Sequence, residues 1–348
     1  MGRVSRARRV VRRRWGADER GRTPWTRGRV TAAFAVAVAA LMALHSHVPG
    51  VLGLGSLWET FLPWTGLAVP ALSVVALLRR STLALVALLL PAVVWLGLFH
   101  RAVVPWDRGP VEEGTGAAAI TVVQHNAGDE NRDPTGTARA VAAAGPDLVA
   151  LQELLPAALP AYDAVLAPGH PHHVVVGSVG LWSKYPLVDS RPLDIRPAGF
   201  GTDWNRGLRT TARTPYGDVA VYVVHLPSVR VRPSGFDTAR RDESAVLLGA
   251  ELRAEESPRV ILLGDLNGTL DDRGLAPVLN RVDSAGEGVT DGFAFSWPVS
   301  FPLARIDHVL ARAGAVTRLW TLPATGSDHL PVAARVTFPS GADRGASG

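Results

Sequence analysis

The sequence predicts an α/β domain of packed sheets with helices outside, set behind three transmembrane helices. Three observations predict it. The first third holds three apolar runs of membrane-spanning length, the hydrophobic period changes to that of strands near Ala119, and polar groups recur at the ends of the later apolar runs.

The 348 residues suffice for one large domain or two modest ones. The formal net charge of +5 hides an uneven distribution. Residues 1–29 carry 11 arginines against Asp18 and Glu19, whereas residues 107–348 carry 22 Lys and Arg against 28 Asp and Glu, a net of −6. The basic character belongs to the N-terminal tail. The mildly acidic remainder lacks the broad attraction on which non-specific duplex binding draws, and no Lys/Arg cluster of a duplex-gripping kind stands out in it. The absence of cysteine excludes disulfides and thiolate metal sites.

The expected spans run from about Val30 to Val48, from about Leu57 to Leu78 with Glu59 at its start, and from about Ser81 to Phe99. Each is about the length that crosses roughly 30 Å of hydrocarbon. Three cores with short loops do not fit a single cleaved signal peptide. The positive-inside rule puts the Arg-rich tail and the Arg79-Arg80 turn in the cytoplasm and everything after about Arg101 outside. The expected division is a cytoplasmic tail (1–29), three transmembrane helices (30–104), a linker (105–118), a globular domain (119–339) and a disordered tail (340–348). The localisation that follows is a multi-pass cell-membrane protein with its N-terminus cytoplasmic and its globular domain extracellular.

Within the globular part, Ile120 to Gln124 reads as a strand that ends in His125-Asn126. A helix follows from Thr137 to Ala144, stopped by Gly145-Pro146. Asp147 to Glu153 is an apolar strand ending on a carboxylate, and Val174 to Val176 is a short one before Leu181 to Pro186. Val219 to His225 ends on an imidazole. Asp237 to Glu256 is a helix, and Arg259 to Asp265 is a buried strand with Asp265 and Asn267 at its tip. Ile306 to Leu310 and Val332 to Phe338 complete the strands. Layered α/β folds bind ligands at such strand ends, so Asn126, Glu153, His225, Asp265, Asn267 and Asp307 point to one site.

The ordered phrases Asn126, Leu151-Gln152-Glu153, His225-Leu226, Gly264-Asp265-Leu266-Asn267, Arg305-Ile306-Asp307 and Ser327-Asp328-His329 resemble the motifs of the endonuclease/exonuclease/phosphatase superfamily, the DNase I-like fold. The resemblance runs from about Ile120 to Phe338. It implies a DNase I-like four-layer α/β sandwich, here preceded by three transmembrane helices. It implies Glu153 and Asn126 as ligands of Mg²⁺, or of Mn²⁺ in its place, since a hard cation takes oxygen donors. It implies His329 as the general base on the attacking water, oriented by Asp307. Asp265 and Asn267 would orient nucleophile and phosphate, His225 would donate to a phosphoryl oxygen, and Asp328 would assist the metal or the leaving group. Water would attack phosphorus in line, without a covalent intermediate.

Each residue type also has a plainer reading. Asp265 suits an Asx turn, and His225 an ordinary core histidine. Asp307-His308 suits a strand-edge pair. Trp297 reads as packing near the site rather than as a substrate stack. His170, His172 and His173 look like a metal cluster, but Pro and Gly interrupt them and a loop is the simpler reading. Arg206 and Arg209 divide between phosphate contact and solvated surface. Tyr185, held by its neighbouring proline, suits packing.

The expected activity is a membrane-anchored, metal-dependent phosphohydrolase acting on an extracytoplasmic phosphate or pyrophosphate ester. The substrate would be a membrane lipid or lipid-linked phosphate such as undecaprenyl pyrophosphate, with no stable nucleic acid partner. The layout of three spans and this domain resembles the VanJ-type teicoplanin-resistance proteins of actinobacteria, which implies a role in glycopeptide resistance. The alternatives are an anchored extracellular nuclease, which predicts a basic groove, and a sphingomyelinase-like phosphodiesterase, which predicts an exposed apolar loop beside the site.

Overall fold

The protein is described from a computed structural model covering residues 15–16, 21–103, 118–233, 235–282 and 289–339. Most of the Arg-rich tail, residues 105–117 of the expected linker and the C-terminal tail 340–348 lie outside the described residues. The chain divides into two units, Met1–Pro49 with Phe61–His100, and Gly50–Thr60 with Arg101–Gly348.

The first unit is helical and is packed inside out. Its buried cluster is Ala35, Ala76, Ala84 and Leu88, mostly small side chains that let helix backbones approach. Large apolar groups such as Phe34, Leu41, Leu78, Leu89 and Val93 lie exposed. Three spans are not found among the described residues. One helix, Thr82–Val103, has 22 residues and enough apolar character to cross a bilayer. At 1.5 Å per residue it measures about 33 Å. The expected second span is broken instead, its two helices Val51–Thr60 and Leu62–Leu78 belonging to different units. The first, Arg29–Ala43, has only 15 residues, or about 22 Å.

The break has a reason in the second unit. Helix Leu54–Thr60 belongs to that unit, where Glu59 is fully buried. Arg273 donates to its carboxylate through Nε at 2.9 Å and its backbone N–H at 3.1 Å. A buried carboxylate needs such partners, and hydrocarbon supplies none.

The strands of this unit are, in chain order, β1 (Ala118–Asn126), β2 (Leu148–Gln152), β3 (His172–Val176), β4 (Val179–Ser183), β5 (Leu187–Pro192), β6 (Gly207–Thr214), β7 (Gly217–His225), β8 (Arg230–Arg232), β9 (Gly235–Asp237), β10 (Val260–Asp265), β11 (Val289–Thr290), β12 (Asp307–Arg312), β13 (Ala315–Thr321) and β14 (Val332–Phe338). One sheet has the order β11-β13-β14-β1-β2-β4-β3 and the other β12-β10-β7-β6-β5. Alternation along β7 assigns the layers. Val219, Val221 and Val223 enter a core shared with Ile120, Val122, Leu148, Ala150 and Leu181 of the larger sheet. Ala220, Tyr222 and Val224 face the other way, onto Ala245, Leu248 and Leu252 of helix Ala239–Ala254. Val123, Val149 and Leu151 pack likewise against helices Pro134–Ala142 and Leu159–Leu166. The result is helix, sheet, sheet, helix: the four-layer α/β sandwich expected.

β1 and β2 run parallel, as do β7 and β10, while β12 runs antiparallel to β10. The C-terminal ends of four strands and the start of a fifth therefore meet at one edge of the sandwich. Asp265 is paired with both His225 and Asp307 across the smaller sheet. Gly264 makes the pairing tight, since a Cβ there would collide with the Val224 carbonyl oxygen.

Candidate active site

All eight residues expected at the site come from segments ending at that edge. Asn126 closes β1 and Glu153 follows β2. Glu153 has φ 56° and Asn267 φ 49°, left-handed values that ordinary side chains seldom adopt. Such backbone persists only where surrounding bonds hold it. At Glu153 the Asp129 amide donates to Oε2 at 3.2 Å. At Asn267 the backbone N–H donates to Asp265 Oδ1 at 2.9 Å and the side chain to the Leu226 carbonyl at 2.9 Å.

Asp307 and His329 are in direct contact, Oδ2 to Nδ1 at 2.7 Å, with both side chains buried. The other Asp307 oxygen accepts from Gln124 Nε2 at 2.6 Å. Burial opposes charge on His329, but Asp307, with help from Asp265 and Asp328, raises its imidazole to about 10. Burial would likewise raise Asp307, yet the His329 charge and hydrogen bonds from His329 and Ser296 hold it below the usual carboxylate range. Asp265 moves the other way, pushed up by burial and then by the Asp307 carboxylate. His329 Nε2 lies 3.8 Å from Asp265 Oδ2 and 3.9 Å from the exposed Asp328 Oδ1. The imidazole is thus oriented through one nitrogen and presents the other toward the site.

His225 is held differently. Arg206 Nη1 lies 3.2 Å from its Nδ1 and 3.4 Å from its Nε2. That Nε2 lies 3.7 Å from both Glu153 Oε1 and Asp265 Oδ2. Burial first, and then the Arg206 charge, lowers the ring's pKa well below the ordinary value. A neutral imidazole carries one N–H, which can donate to a phosphoryl oxygen.

The donor chemistry fits a hard divalent cation. Among the described residues one group of three metal-ligating side chains, Asp265, Asp307 and His329, brings its ligand atoms within 4.8 Å. Asp307 in that group is already committed to His329 and Gln124. Glu153 Oε1 accepts no hydrogen bond among the described residues; Asn126, paired with Gln152, accepts from the Gly128 amide through Oδ1 at 3.1 Å and donates to Asp265 Oδ2 at 3.1 Å.

Several supporting residues were given no role from the sequence, although Ser327 stands in one of the motif phrases. Ser296 Oγ accepts from the Ile306 and Asp307 amides at 3.2 and 3.3 Å. Ser327 Oγ donates to the Asn126 carbonyl at 2.7 Å and accepts from the His329 amide at 3.0 Å. Arg241, buried, donates to the Asn267 carbonyl at 3.1 Å and to Asp272 Oδ2 at 2.8 Å. The plainer readings hold elsewhere. His170 bonds the Pro146 carbonyl at 2.9 Å and His308 the Gly268 carbonyl at 2.8 Å, whereas His172 and His173 lie in strand β3 rather than in the expected loop. Arg209 forks onto Glu255 at 2.8 and 3.1 Å, and Tyr185 packs on the central core.

An Asp–His pair and oxygen donors at the strand tips of a sandwich define a metal-dependent hydrolase of phosphoric esters or pyrophosphates. The chain belongs to the endonuclease/exonuclease/phosphatase family, whose model matches residues 123–329. Solved structures share the fold. A double mutant of beta toxin from Staphylococcus aureus, with bound magnesium ions, is 16% identical, covers 64% of this chain and 100% of its own, and has a TM-score of 0.51. An endonuclease/exonuclease/phosphatase family protein from Bacteroides thetaiotaomicron is 18% identical over 64% of this chain and 99% of its own, with a TM-score of 0.52. The mannosyl-6-phosphatase of the same organism is 18% identical over 63% and 100%, also with a TM-score of 0.52. No curated protein matches the sequence.

Proposed function

We propose that the chain hydrolyses a phosphoric ester in the headgroup of a membrane lipid. The observation that carries this reading is the wall beside His329. Trp297, 37% exposed, donates through Nε1 to Asp328 Oδ2 at 3.3 Å, and Phe301, 64% exposed, follows in the same loop. Val299 N–H donates to the Asp328 carbonyl at 2.7 Å, which fixes that apolar loop to the segment bearing His329. This is the exposed apolar loop that a phosphodiesterase on lipid headgroups calls for, and exposed apolar groups beside a polar site suit an amphiphilic substrate. The outward Val and Leu side chains of the helical unit and the helix Thr82–Val103 support a membrane setting. The undecaprenyl pyrophosphate substrate and the resistance role implied by the layout have no counterpart among the similar structures, and neither enters this reading. Beta toxin's bound magnesium supports the same cation here.

Glu153 and Asn126, with Asp265 adjoining, would hold Mg²⁺ or Mn²⁺. Bound there, the cation supplies charge that polarises phosphoryl oxygens and offsets the carboxylates that keep the proton on His329. His329, oriented by Asp307, takes a proton from the attacking water. His225 donates to a non-bridging oxygen, while Asp265 and Asn267 position the nucleophile. The test offers the full chain, in neutral detergent with Mg²⁺, a lipid phosphodiester, a lipid pyrophosphate and duplex DNA in parallel. Preferential turnover of the phosphodiester is expected. Preferential cleavage of DNA would replace this reading with an anchored nuclease.

A further inference from the structure

We propose that a pocket beside the site binds a second phosphate group of the substrate. The inference rests on the reading of the chain as a phosphoric ester hydrolase and specifies what that substrate carries. The pocket has a volume of about 120 Å³, or roughly four waters' share of liquid. Arg206, Arg230, Arg232 and Arg240 line it against a single carboxylate, Asp237.

The sequence offered these arginines no common motif. They converge because the β8–β9 hairpin folds back beside the β7 tip. Strand alternation places Arg230 and Arg232 on the same side of β8 and leaves Val231, 82% exposed, on the other. Arg232 Nε meets Asp237 at 3.0 Å across the hairpin, which neutralises one guanidinium. Arg240 stacks 4.7 Å over the Phe200 ring, and Arg206 lies 5.5 Å from the Trp204 ring centroid. Stacking engages the face of a guanidinium and leaves its N–H edge available to an anion's oxygens. An enclosure with three guanidinium charges in excess fits a compact tetrahedral anion, since several short charge-assisted hydrogen bonds converge on one centre.

Arg206 connects this pocket to the chemistry. It lines the pocket and also contacts His225 Nδ1 at 3.2 Å. An anion seated there therefore lies next to the phosphoryl group that His225 would contact. A substrate with phosphates on adjoining positions spans both places, whereas one with a single phosphate leaves the pocket empty.

Binding tests this without turnover. The full chain in neutral detergent is titrated with inorganic pyrophosphate in the presence of a metal chelator. Without a cation the Glu153 and Asp265 carboxylates repel the anion, so binding reads the arginine pocket. The Arg230→Gln/Arg240→Gln double variant changes two exposed side chains outside the catalytic set, and an unchanged Tm checks its fold. A loss of about tenfold or more in pyrophosphate affinity is expected. Failure of the wild type to bind, or equal binding by the variant, overturns the proposal. So does a loss confined to binding of a single-stranded oligonucleotide, which would make the pocket a nucleic-acid contact. With Mg²⁺ restored, the wild type should prefer phosphatidylglycerol phosphate to phosphatidylglycerol in kcat/KM, and the variant should lose that preference. Cleavage of neither lipid would sink the headgroup reading while the chelated titration still decides the pocket.

Discussion

His329 is defined by what surrounds it. It sits among three carboxylates, and only Asp307 meets it at hydrogen-bond distance. The His329→Ala variant is expected to lose about 10²–10⁴-fold in kcat, the range of a positioned general base. Activity within threefold of wild type would remove His329 from the mechanism. Asp307→Asn keeps the shape but substitutes an amide for the charged acceptor. It should cost kcat more than KM, which steady-state kinetics with the lipid phosphodiester would show. The Asp265–Asn267 turn behaves as the Asx reading anticipated, because Asp265 Oδ1 accepts from the Asn267 amide. The turn and the chemical role are compatible: the second oxygen faces Asn126, His225 and His329.

At the scale of elements, two buried ionic clusters hold the site's scaffold. Arg241 on helix Ala239–Ala254 and Asp272 are both 1% exposed as side chains and lie 2.8 Å apart. Ser56 of helix Leu54–Thr60 donates to the same Asp272 oxygen. Arg241 also pairs with Asp242 at 2.7 Å, so Asp272→Ala removes one of its two carboxylates and should lower the unfolding free energy by about 1.5–3 kcal/mol. Chemical denaturation measures it, and a change below about 1 kcal/mol would show the pair to be well solvated. The second cluster closes the far end of the same helix. Arg312 donates to the carbonyls of Leu252, Glu255 and Ser257 at 2.6 to 2.9 Å, which satisfies acceptors left open at a helix end. Glu255 accepts from Arg209, Tyr222 and the Ser257 amide. Burial opposes its charge, but Arg209, the Ser257 amide and Tyr222 lower its carboxyl to about 2 from 4.5. The folded-state value lies below the unfolded one, so this stabilisation is present above pH 4.5 and fades as the pH falls toward 2. Glu255→Gln should therefore lower Tm clearly at pH 7 and much less near pH 3. An equal loss at both values would assign the effect to packing alone.

For the whole molecule, the question is where the substrate is met. An apolar loop beside the catalytic wall and a helix of membrane-spanning length both favour a bilayer surface. Substituting Trp297 and Phe301 by Ala should reduce turnover of a phosphodiester held in vesicles by about tenfold or more, and leave a soluble short-chain phosphodiester within about twofold. Equal losses on both would make the loop part of the catalytic wall rather than a contact with lipid. The docking of helix Leu54–Thr60 onto the catalytic unit also makes part of the apolar first third structural for catalysis. Gly53 and Gly235 permit its approach to the β8–β9 hairpin, since a Cβ on Gly53 would collide with the Phe236 carbonyl and one on Gly235 with the Leu52 carbonyl.

Alone, the sequence determined the layered α/β class and most of the central strands, and it put six candidate site residues at strand ends; Asp328 and His329 were implied by the family resemblance. Hydrophobic period and the residue type at a strand's end are local properties, and the chain displays them directly. Strand β14 is where the pattern placed it, and helix Ala239–Ala254 lies within two residues of the expected bounds. Tertiary structure alone decided the rest. Ser296 and Gln124 are ordinary polar residues until folding sets both against Asp307. The apolar count suggested an unbroken second span, but Glu59 found a buried partner in Arg273, more than two hundred positions away. The acidic average of residues 107–348 concealed a basic pocket for the same reason. Composition sums charge along the chain, whereas a ligand meets only the charges that the fold brings within a few ångströms of one another.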